Sequence, residues 1–155
     1  GFMQGEEKFD LDEIAGFNLF TGKAKCATCH FIPLTNGTVP PSFMKSESEV
    51  LGVPDKHKKL DADLGKFELT KAEIHRNSFK TPTIRNVELT APYMHNGVFK
   101  TLEEVIDFYN DGGGNGLGFN LQNQTLPEDK LNLTDLEKKQ LIAFMKTLTD
   151  KKYSR

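Results

Sequence analysis

The sequence has little of what marks several common classes of protein. Its 155 residues include no tryptophan and only two cysteines. No apolar run approaches the roughly 18 residues of a membrane-spanning helix, so no membrane span is predicted. The net charge of −2 provides no basic field that would attract nucleic acid or an anionic membrane surface. Nucleic acid is therefore excluded as a partner.

The amino-terminal residues Gly1 to Gln4 do not show the basic and apolar regions of a signal peptide. We therefore expect a processed chain or a piece of a longer protein. Hydrophobic residues make up 37% of the sequence, which is enough for a core in a chain of this length. Residues 1–155 are accordingly expected to form a single domain.

Both cysteines stand in one motif, Cys26-Ala27-Thr28-Cys29-His30, whose C-x-x-C-H pattern is the attachment signature of c-type haem. Cysteines three positions apart lie about one helical turn apart, so each can form a thioether with one vinyl group of the same porphyrin. The adjacent histidine can then offer an imidazole nitrogen to the iron. Because haem is attached to such motifs outside the cytoplasm, the motif also predicts a periplasmic location.

Two other interpretations of the motif are weaker. A thioredoxin-like redox pair does not need the histidine and expects a βαβ pattern, which this sequence lacks. A structural zinc site needs four ligands in two clusters, and the chain has one cluster.

Helix signals flank the motif and recur towards the carboxyl end. Residues 10–22 open with acids and close with glycine, with Leu11, Ile14 and Phe17 at helical spacing. Residues 31–70 show no sustained period and are expected to be a long loop. Three S/T-x-x-E capping boxes follow. The first predicts a short helix over residues 74–79, and the second predicts a helix from Leu102 that carries Tyr109 on its buried face. The third predicts a last helix whose core-facing side chains are Leu141, Phe144, Met145 and Leu148.

A haem held by His30 has a second axial position, and its occupant decides what the haem does. Methionine raises the potential and favours electron transfer, tyrosine lowers it, and an empty position admits peroxide or oxygen. For any one methionine, core filling is the more common role. Residue type leaves the following candidates: Met44, Met94, His57, His75, His95, Tyr93 and Tyr109.

Several sequence blocks in the same order resemble the C-terminal haem domain of the bacterial di-haem cytochrome c peroxidases and MauG-like enzymes. The resemblance covers residues 19–148, or most of the chain. Its landmarks are Leu19-Phe20 before C-A-T-C-H, D-L-G-K-F at residues 63–67 followed by Thr70, F-K-T-P-T-I-R-N-V at residues 79–87, and L-T-A-P-Y-M-H-N-G at residues 89–97. The fold expected is all-α and cytochrome c-like, with the first and last helices packed together and long loops wrapping one covalent haem c.

The resemblance also implies roles for particular residues. Cys26 and Cys29 match the thioether cysteines, and His30 matches the proximal iron ligand. Tyr109 matches the distal position, which holds methionine in the peroxidases and tyrosine in the MauG-like enzymes. Met94 matches a position that is not a ligand in the family, so it is the second choice.

Further positions match residues around the haem and between the domains. Arg85 matches an arginine near the haem, and pairing with a haem propionate suits its guanidinium group. Thr90 and Pro92 match positions whose backbone carbonyls help to hold a calcium ion between two domains. The resemblance therefore adds calcium as a second cofactor.

The family places two C-x-x-C-H motifs in one chain, whereas this sequence has one. In the peroxidases this domain receives electrons from a small carrier protein and passes them to a peroxide-reducing haem in an N-terminal domain. That other domain commonly carries a tryptophan, so the lack of tryptophan fits its absence. We expect the electron-transfer haem domain of a periplasmic peroxidase or MauG-like oxidoreductase. The alternative is a stand-alone monohaem c-type cytochrome that acts as an electron carrier.

Overall fold

The computed structural model describes residues 8–150. The residues on which the processed-chain expectation depends, Gly1 to Gln4, lie outside the described range. None of the described helices is long and apolar enough to cross a membrane. The described elements are α1 (Leu11–Thr21), β1 (Ser48–Val50), α2 (Phe67–Thr70), β2 (Ser78–Lys80), α3 (Leu102–Asn110), α4 (Gly113–Gly116) and α5 (Asp135–Lys146), with 3-10 turns at Cys26–Thr28, Glu73–His75 and Val87–Leu89.

The three longest helices each begin with a capping box. The Asp10 side chain caps α1 reciprocally with Glu13, and Thr101 and Thr134 do the same for α3 and α5. Each cap satisfies backbone N–H groups that the first helical turn leaves unpaired. The predicted starts of these helices are therefore confirmed.

Helices α1 and α5 pack directly against each other at Gly16. A Cβ placed on Gly16 would lie 2.8 Å from Phe144 Cβ and would overlap the carbonyl group of Gln140. The ring of Phe144 contacts the rings of Phe17 and Phe20, with centroids 5.4 and 5.2 Å away. The predicted pairing of the first and last helices is thus confirmed.

The prediction that Leu11, Ile14 and Phe17 form the apolar face of α1 is wrong in part. Leu11 and Ile14 are 85% and 40% exposed, whereas Gly16 and Phe20 are buried. A glycine carries no hydrophobic signal, so the periodicity of large apolar residues could not reveal a face built on close backbone approach. Phe20 joins a core that includes Ile84, Leu102, Ile106, Leu133, Leu141, Ile142, Phe144 and Met145.

The fold is mainly helical, but the all-α prediction needs correction because β1 and β2 form a two-stranded antiparallel sheet. Val50 pairs with Ser78, and Glu49 pairs with Phe79. β2 takes up part of the segment that was predicted to be a helix over residues 74–79. The predicted cap fails there because Thr70 closes α2, and its hydroxyl contacts Nδ1 of His75 at 2.9 Å.

The glycine-rich segment after α3 forms the short helix α4 rather than only ending a helix. Gly114 donates its backbone N–H to the carbonyl of Leu51 at 2.8 Å. A Cβ on Gly114 would lie 2.6 Å from Cα of Gly52, so these two glycines allow the chains to touch. This contact anchors the region predicted to be a long loop, residues 31–70. Within the described structure, that region contains only two regular elements, β1 and α2.

Candidate haem-binding site

The C-x-x-C-H motif forms a tight turn at the end of α1. Gly22 ends the helix, and Lys25 adopts a left-handed conformation (φ 56°) that redirects the chain. Cys26 begins a 3-10 turn, and its carbonyl accepts the backbone N–H of His30 at 2.9 Å. The predicted helical turn is confirmed. It keeps both thiols on one short segment, and neither is engaged in a disulfide.

The environment of the two thiols does not favour thiolate chemistry. Burial raises the pKa of Cys26 to about 12. Burial also raises the pKa of Cys29, and the nearby carboxylate of Glu49 adds to the effect. Reactive redox cysteines have lowered pKa values. The structure therefore favours the haem-attachment interpretation over a thioredoxin-like pair.

His30 presents an imidazole that is prepared for a metal. Its Nδ1 atom is buried and makes no hydrogen bond within the described residues. Burial lowers the pKa of the ring, while the backbone carbonyls of Pro82 and Thr35 oppose that shift. The ring is thus kept neutral, which is the form that binds iron.

Helix α3 brings Tyr109 to the same place. Burial raises the pKa of its hydroxyl, and Cys26, Cys29 and Glu49 contribute further to the increase. Such mutual effects require that the phenol lies near both cysteines. The hydroxyl of Tyr109 makes no hydrogen bond within the described residues, and its ring contacts Phe108 at 5.7 Å between centroids. The structure therefore joins a helix face predicted from periodicity to a motif about 80 residues earlier in the sequence.

The other candidate axial ligands have different surroundings. Met44 is 86% exposed, and His57 is also exposed. His75 contacts the hydroxyl of Thr70, and Tyr93 donates its hydroxyl hydrogen to the carbonyl of Val87 at 2.9 Å. Each of these four residues thus has a surface or structural position.

His95 and Met94 lie in the loop between Tyr93 and Gly97. The His95 ring stacks on Phe79 with centroids 3.6 Å apart. Its Nε2 atom lies 3.6 Å from Asp61. Met94 is half-buried and has a left-handed backbone with φ 68°.

The remaining predicted residues lie on the surface. Arg85 is exposed, and its side chain makes no ion pair within residues 8–150. Thr90 and Pro92 are exposed as well, and the peptide bond before Pro92 is cis. In the described part of the chain, no cluster of three or more His, Cys, Asp and Glu side chains could hold a metal ion. The calcium ligands predicted at residues 90 and 92 are backbone carbonyls, not side chains of these four types.

Sequence reasoning missed one residue of the site, Glu49. It lies on β1, inside a segment that was expected to be loop, and its carboxylate affects the Cys29 thiol and the Tyr109 hydroxyl. No signal in the sequence could have found it, because the strand has three residues and shows no usable period.

These residues fit a covalently attached haem. Two protonated thiols on one turn would supply the attachment points. A neutral imidazole whose Nδ1 has no partner within the described residues, and the phenol carried by α3, would supply nitrogen and oxygen donors for iron. Fold and site together define a c-type haem domain like those of the di-haem cytochrome c peroxidases and MauG-like proteins.

Comparison with known proteins supports this class, although no protein-family model matches the chain. The chain is 36% identical over 150 residues to the cytochrome-c peroxidase IdrP2 of Denitromonas iodatirespirans, covering 86% of this chain and 38% of that protein. It is 32% identical over 146 residues to the methylamine utilization protein MauG of Methylorubrum extorquens, covering 92% of this chain and 36% of that protein.

Two solved structures show the same fold. A MauG-like protein associated with microbial copper homeostasis has a TM-score of 0.80 and 32% identity, over 97% of this chain and 47% of that one. The diheme peroxidase BthA of Burkholderia thailandensis has a TM-score of 0.68 and 25% identity, over 96% of this chain and 45% of that one. The predicted resemblance is confirmed, and haem c is the cofactor it supports. The chain spans less than half the length of these relatives.

Proposed function

We propose that this chain is the C-terminal, electron-transfer haem domain of a di-haem cytochrome c peroxidase or MauG-like oxidoreductase. The observation that carries the proposal is the meeting of Tyr109 with the C-x-x-C-H turn. The motif offers covalent attachment and one axial ligand, and Tyr109 lies near both of its cysteines. A haem ligated on both faces suits electron transfer better than peroxide binding.

Each residue has a defined part in the proposed site. Cys26 and Cys29 form the thioethers, and His30 supplies the proximal nitrogen. Tyr109 is the distal ligand, with Met94 as the second choice. Haem supplies one-electron redox chemistry at iron. The exposed side chain of Arg85, which forms no ion pair within residues 8–150, is available for a haem propionate.

The partners follow from the resemblance and from the length of the relatives. The chain covers 38% of the cytochrome-c peroxidase IdrP2 and 47% of the solved MauG-like protein. This supports an N-terminal domain with a peroxide-reducing haem, to which the present domain relays electrons from a small donor protein. The carbonyls of Thr90 and Pro92 would contribute to a calcium site between the domains. The motif supports a periplasmic location.

The test is the ferric spectrum of the haem-loaded protein with and without Tyr109. We expect low-spin ferric haem that lacks the near-infrared methionine–iron band. Tyr109→Phe should alter the optical and electron paramagnetic resonance spectra, because phenylalanine offers no oxygen to iron. The matched control is Tyr93→Phe, whose hydroxyl is committed to the carbonyl of Val87, and its spectra should match the unmodified protein.

Other outcomes would contradict parts of the proposal. A methionine–iron band that survives Tyr109→Phe would exclude Tyr109 as the ligand and favour Met94. Failure of the chain to bind haem covalently, with Cys26 and Cys29 still titrating as free thiols after expression with haem-attachment machinery, would contradict the proposed function itself.

A further inference from the structure

The carboxyl end of α3, where Tyr109 lies, is held by a long segment that runs between α4 and α5. We call this segment, residues 119–133, the strap. Within the described structure the strap contains no helix or strand. Segments of such length without regular structure are uncommon in compact domains and usually have a function. The contacts of the strap therefore indicate what it does.

Asn110, the last residue of α3, is paired with the strap through both its backbone and its side chain. Its carbonyl oxygen accepts the backbone N–H of Leu131 at 3.1 Å. Its side-chain Oδ1 atom accepts the backbone N–H of Leu133 at 2.8 Å. Because Leu133 is buried in the core, these bonds tie the end of α3 to a fixed point of the fold.

Gln124, in the strap, holds the turn that follows α3. Its Nε2 atom donates to the carbonyl of Gly112 at 3.1 Å and to the carbonyl of Leu126 at 2.7 Å. Its Oε1 atom accepts the backbone N–H of Asn115, on α4, at 2.8 Å. One half-buried amide group thus joins the strap to α4 and to the turn between α3 and α4.

Gly112 connects this restraint to Tyr109. Its backbone N–H donates to the carbonyl of Tyr109 at 3.1 Å, and its own carbonyl is the one that Gln124 binds. The strap lies so close that a Cβ on Gly112 would overlap the carbonyl group of Glu128. Two hydrogen bonds in series therefore run from the backbone of Tyr109 through Gly112 to the side chain of Gln124.

The strap is also fixed to the sheet, on the side away from α3. The backbone N–H of Thr125 donates to the carbonyl of Val50 at 3.0 Å, and the Thr125 hydroxyl accepts the backbone N–H of Val50 at 3.0 Å. Val50 is buried at the end of β1. Because the strap is anchored in this way, it can restrain the end of α3 instead of moving with it.

We propose that Gln124 and Asn110 are positioning residues that hold Tyr109 in place as the distal ligand of the haem. A ligand must be kept within a fraction of an ångström of its productive position. The hydroxyl of Tyr109 makes no hydrogen bond within the described residues, so the backbone restraints carry this task. The inference rests on the proposed function, since it requires a haem that Tyr109 ligates.

The test is a cyanide titration of the ferric, haem-loaded protein, followed optically. Cyanide must displace Tyr109 to reach the iron, so a loosely held tyrosine gives a lower dissociation constant for cyanide. Removal of residues that orient a metal ligand typically costs about 10–100-fold in affinity, so Gln124→Ala should lower that constant about 10-fold or more. Asn110→Ala should act in the same direction. In a Tyr109→Phe background, Gln124→Ala should cause no further change, because it acts through Tyr109.

Two neighbours of Gln124 in the strap provide controls. Gln122 is exposed and donates to the side chain of Asn120, so Gln122→Ala should leave the cyanide constant unchanged. Asn123 donates to the carbonyl of Arg76 at 2.9 Å and makes no printed bond to α3 or to the turn after it. Asn123→Ala should therefore lower the free energy of unfolding in urea without lowering the cyanide constant. A purely structural role of the strap predicts the same behaviour for Asn123→Ala and Gln124→Ala.

Several results would overturn the inference. These are an unmoved or raised cyanide constant in Gln124→Ala, an equal decrease in either control, and a further decrease in the Tyr109→Phe background. If Gln124→Ala does not fold, Asn110→Ala decides by the same criteria. Absence of covalent haem in the unmodified protein contradicts the proposed function. Covalent haem whose cyanide constant responds to Tyr109→Phe but not to Gln124→Ala contradicts only this inference, and no response to Tyr109→Phe overturns Tyr109 as the ligand together with it.

Discussion

At the scale of single residues, the predicted site divides into groups with different kinds of signal. Cys26, Cys29 and His30 are contiguous, so a motif is enough to find them. Tyr109 is distant in sequence, yet the period of α3 places it on the buried face and the resemblance points to the same position. Glu49 lies on a three-residue strand that the sequence does not signal, and only the three-dimensional structure shows that its carboxylate affects Cys29 and Tyr109.

Asp61 is a residue whose charge supports the fold. Its carboxylate accepts hydrogen bonds from Nδ2 of Asn96 and the backbone N–H of Asp63, both at 2.8 Å. These bonds, that from Asn96 first, hold the pKa of Asp61 below its usual range, and the nearby His95 contributes. Because Asn96 also donates to the carbonyl of Pro54 at 2.9 Å, Asp61 helps to join two loops.

This arrangement predicts a pH dependence of stability. A carboxylate with a lowered folded-state pKa contributes stability that is present above its unfolded pKa of about 3.9 and is lost as the pH falls through the folded value. The free energy of unfolding in urea should therefore fall less between pH 6 and pH 3 in Asp61→Asn than in the unmodified protein. Asp129→Asn, at an exposed position, should keep the unmodified loss. Equal losses in all three proteins would contradict the prediction.

At the scale of elements, the sequence predicted the helices that begin with strong caps and failed where a short element depends on a partner. Asp10, Thr101 and Thr134 each signal a helix start locally, and the structure confirms all three. β2 has three residues and is stabilised by pairing with β1, some 30 residues earlier. The capping pattern at Thr70 was therefore misleading, because tertiary pairing outweighed a local signal.

The contact between α1 and α5 predicts a strong effect of a small side chain. Gly16→Ala should destabilise the protein by about 1–3 kcal/mol, the usual cost of overpacking. The loss should appear although alanine favours helix by up to about 1 kcal/mol relative to glycine. The reason is the absence of space for a Cβ between Gln140 and Phe144.

Chemical denaturation of the Gly16→Ala protein would measure this loss. Asn18→Ala provides the matched control, since Asn18 is exposed on the same helix and the change adds helix propensity without a clash. We expect its stability to be unchanged or slightly increased. A Gly16→Ala protein as stable as Asn18→Ala would contradict the prediction, because it would show that α1 and α5 can move apart without loss of stability.

At the scale of the whole molecule, the paired helices α1 and α5 support a site to which three separate parts of the chain contribute. The motif follows α1 directly, α3 brings Tyr109, and the sheet brings Glu49. The buried residues Phe20, Leu102 and Ile106 belong to one core, so the core fixes α3 relative to the motif. The pairing of the first and last helices was expected from the resemblance, whereas the two-stranded sheet was not predicted.

This arrangement predicts what the chain does when it is loaded with haem by itself. It should accept and release one electron reversibly, yet reduce hydrogen peroxide no faster than background, because in the proposed site Tyr109 would hold the position that peroxide needs. Tyr109→Phe should open that position, giving high-spin ferric haem and a measurable reaction with peroxide, whereas Tyr93→Phe should remain inert. Stopped-flow spectra after mixing with peroxide would compare the three proteins. Rapid peroxide reduction by the unmodified chain would mean that the distal position is open, and would make this domain itself the peroxidatic one.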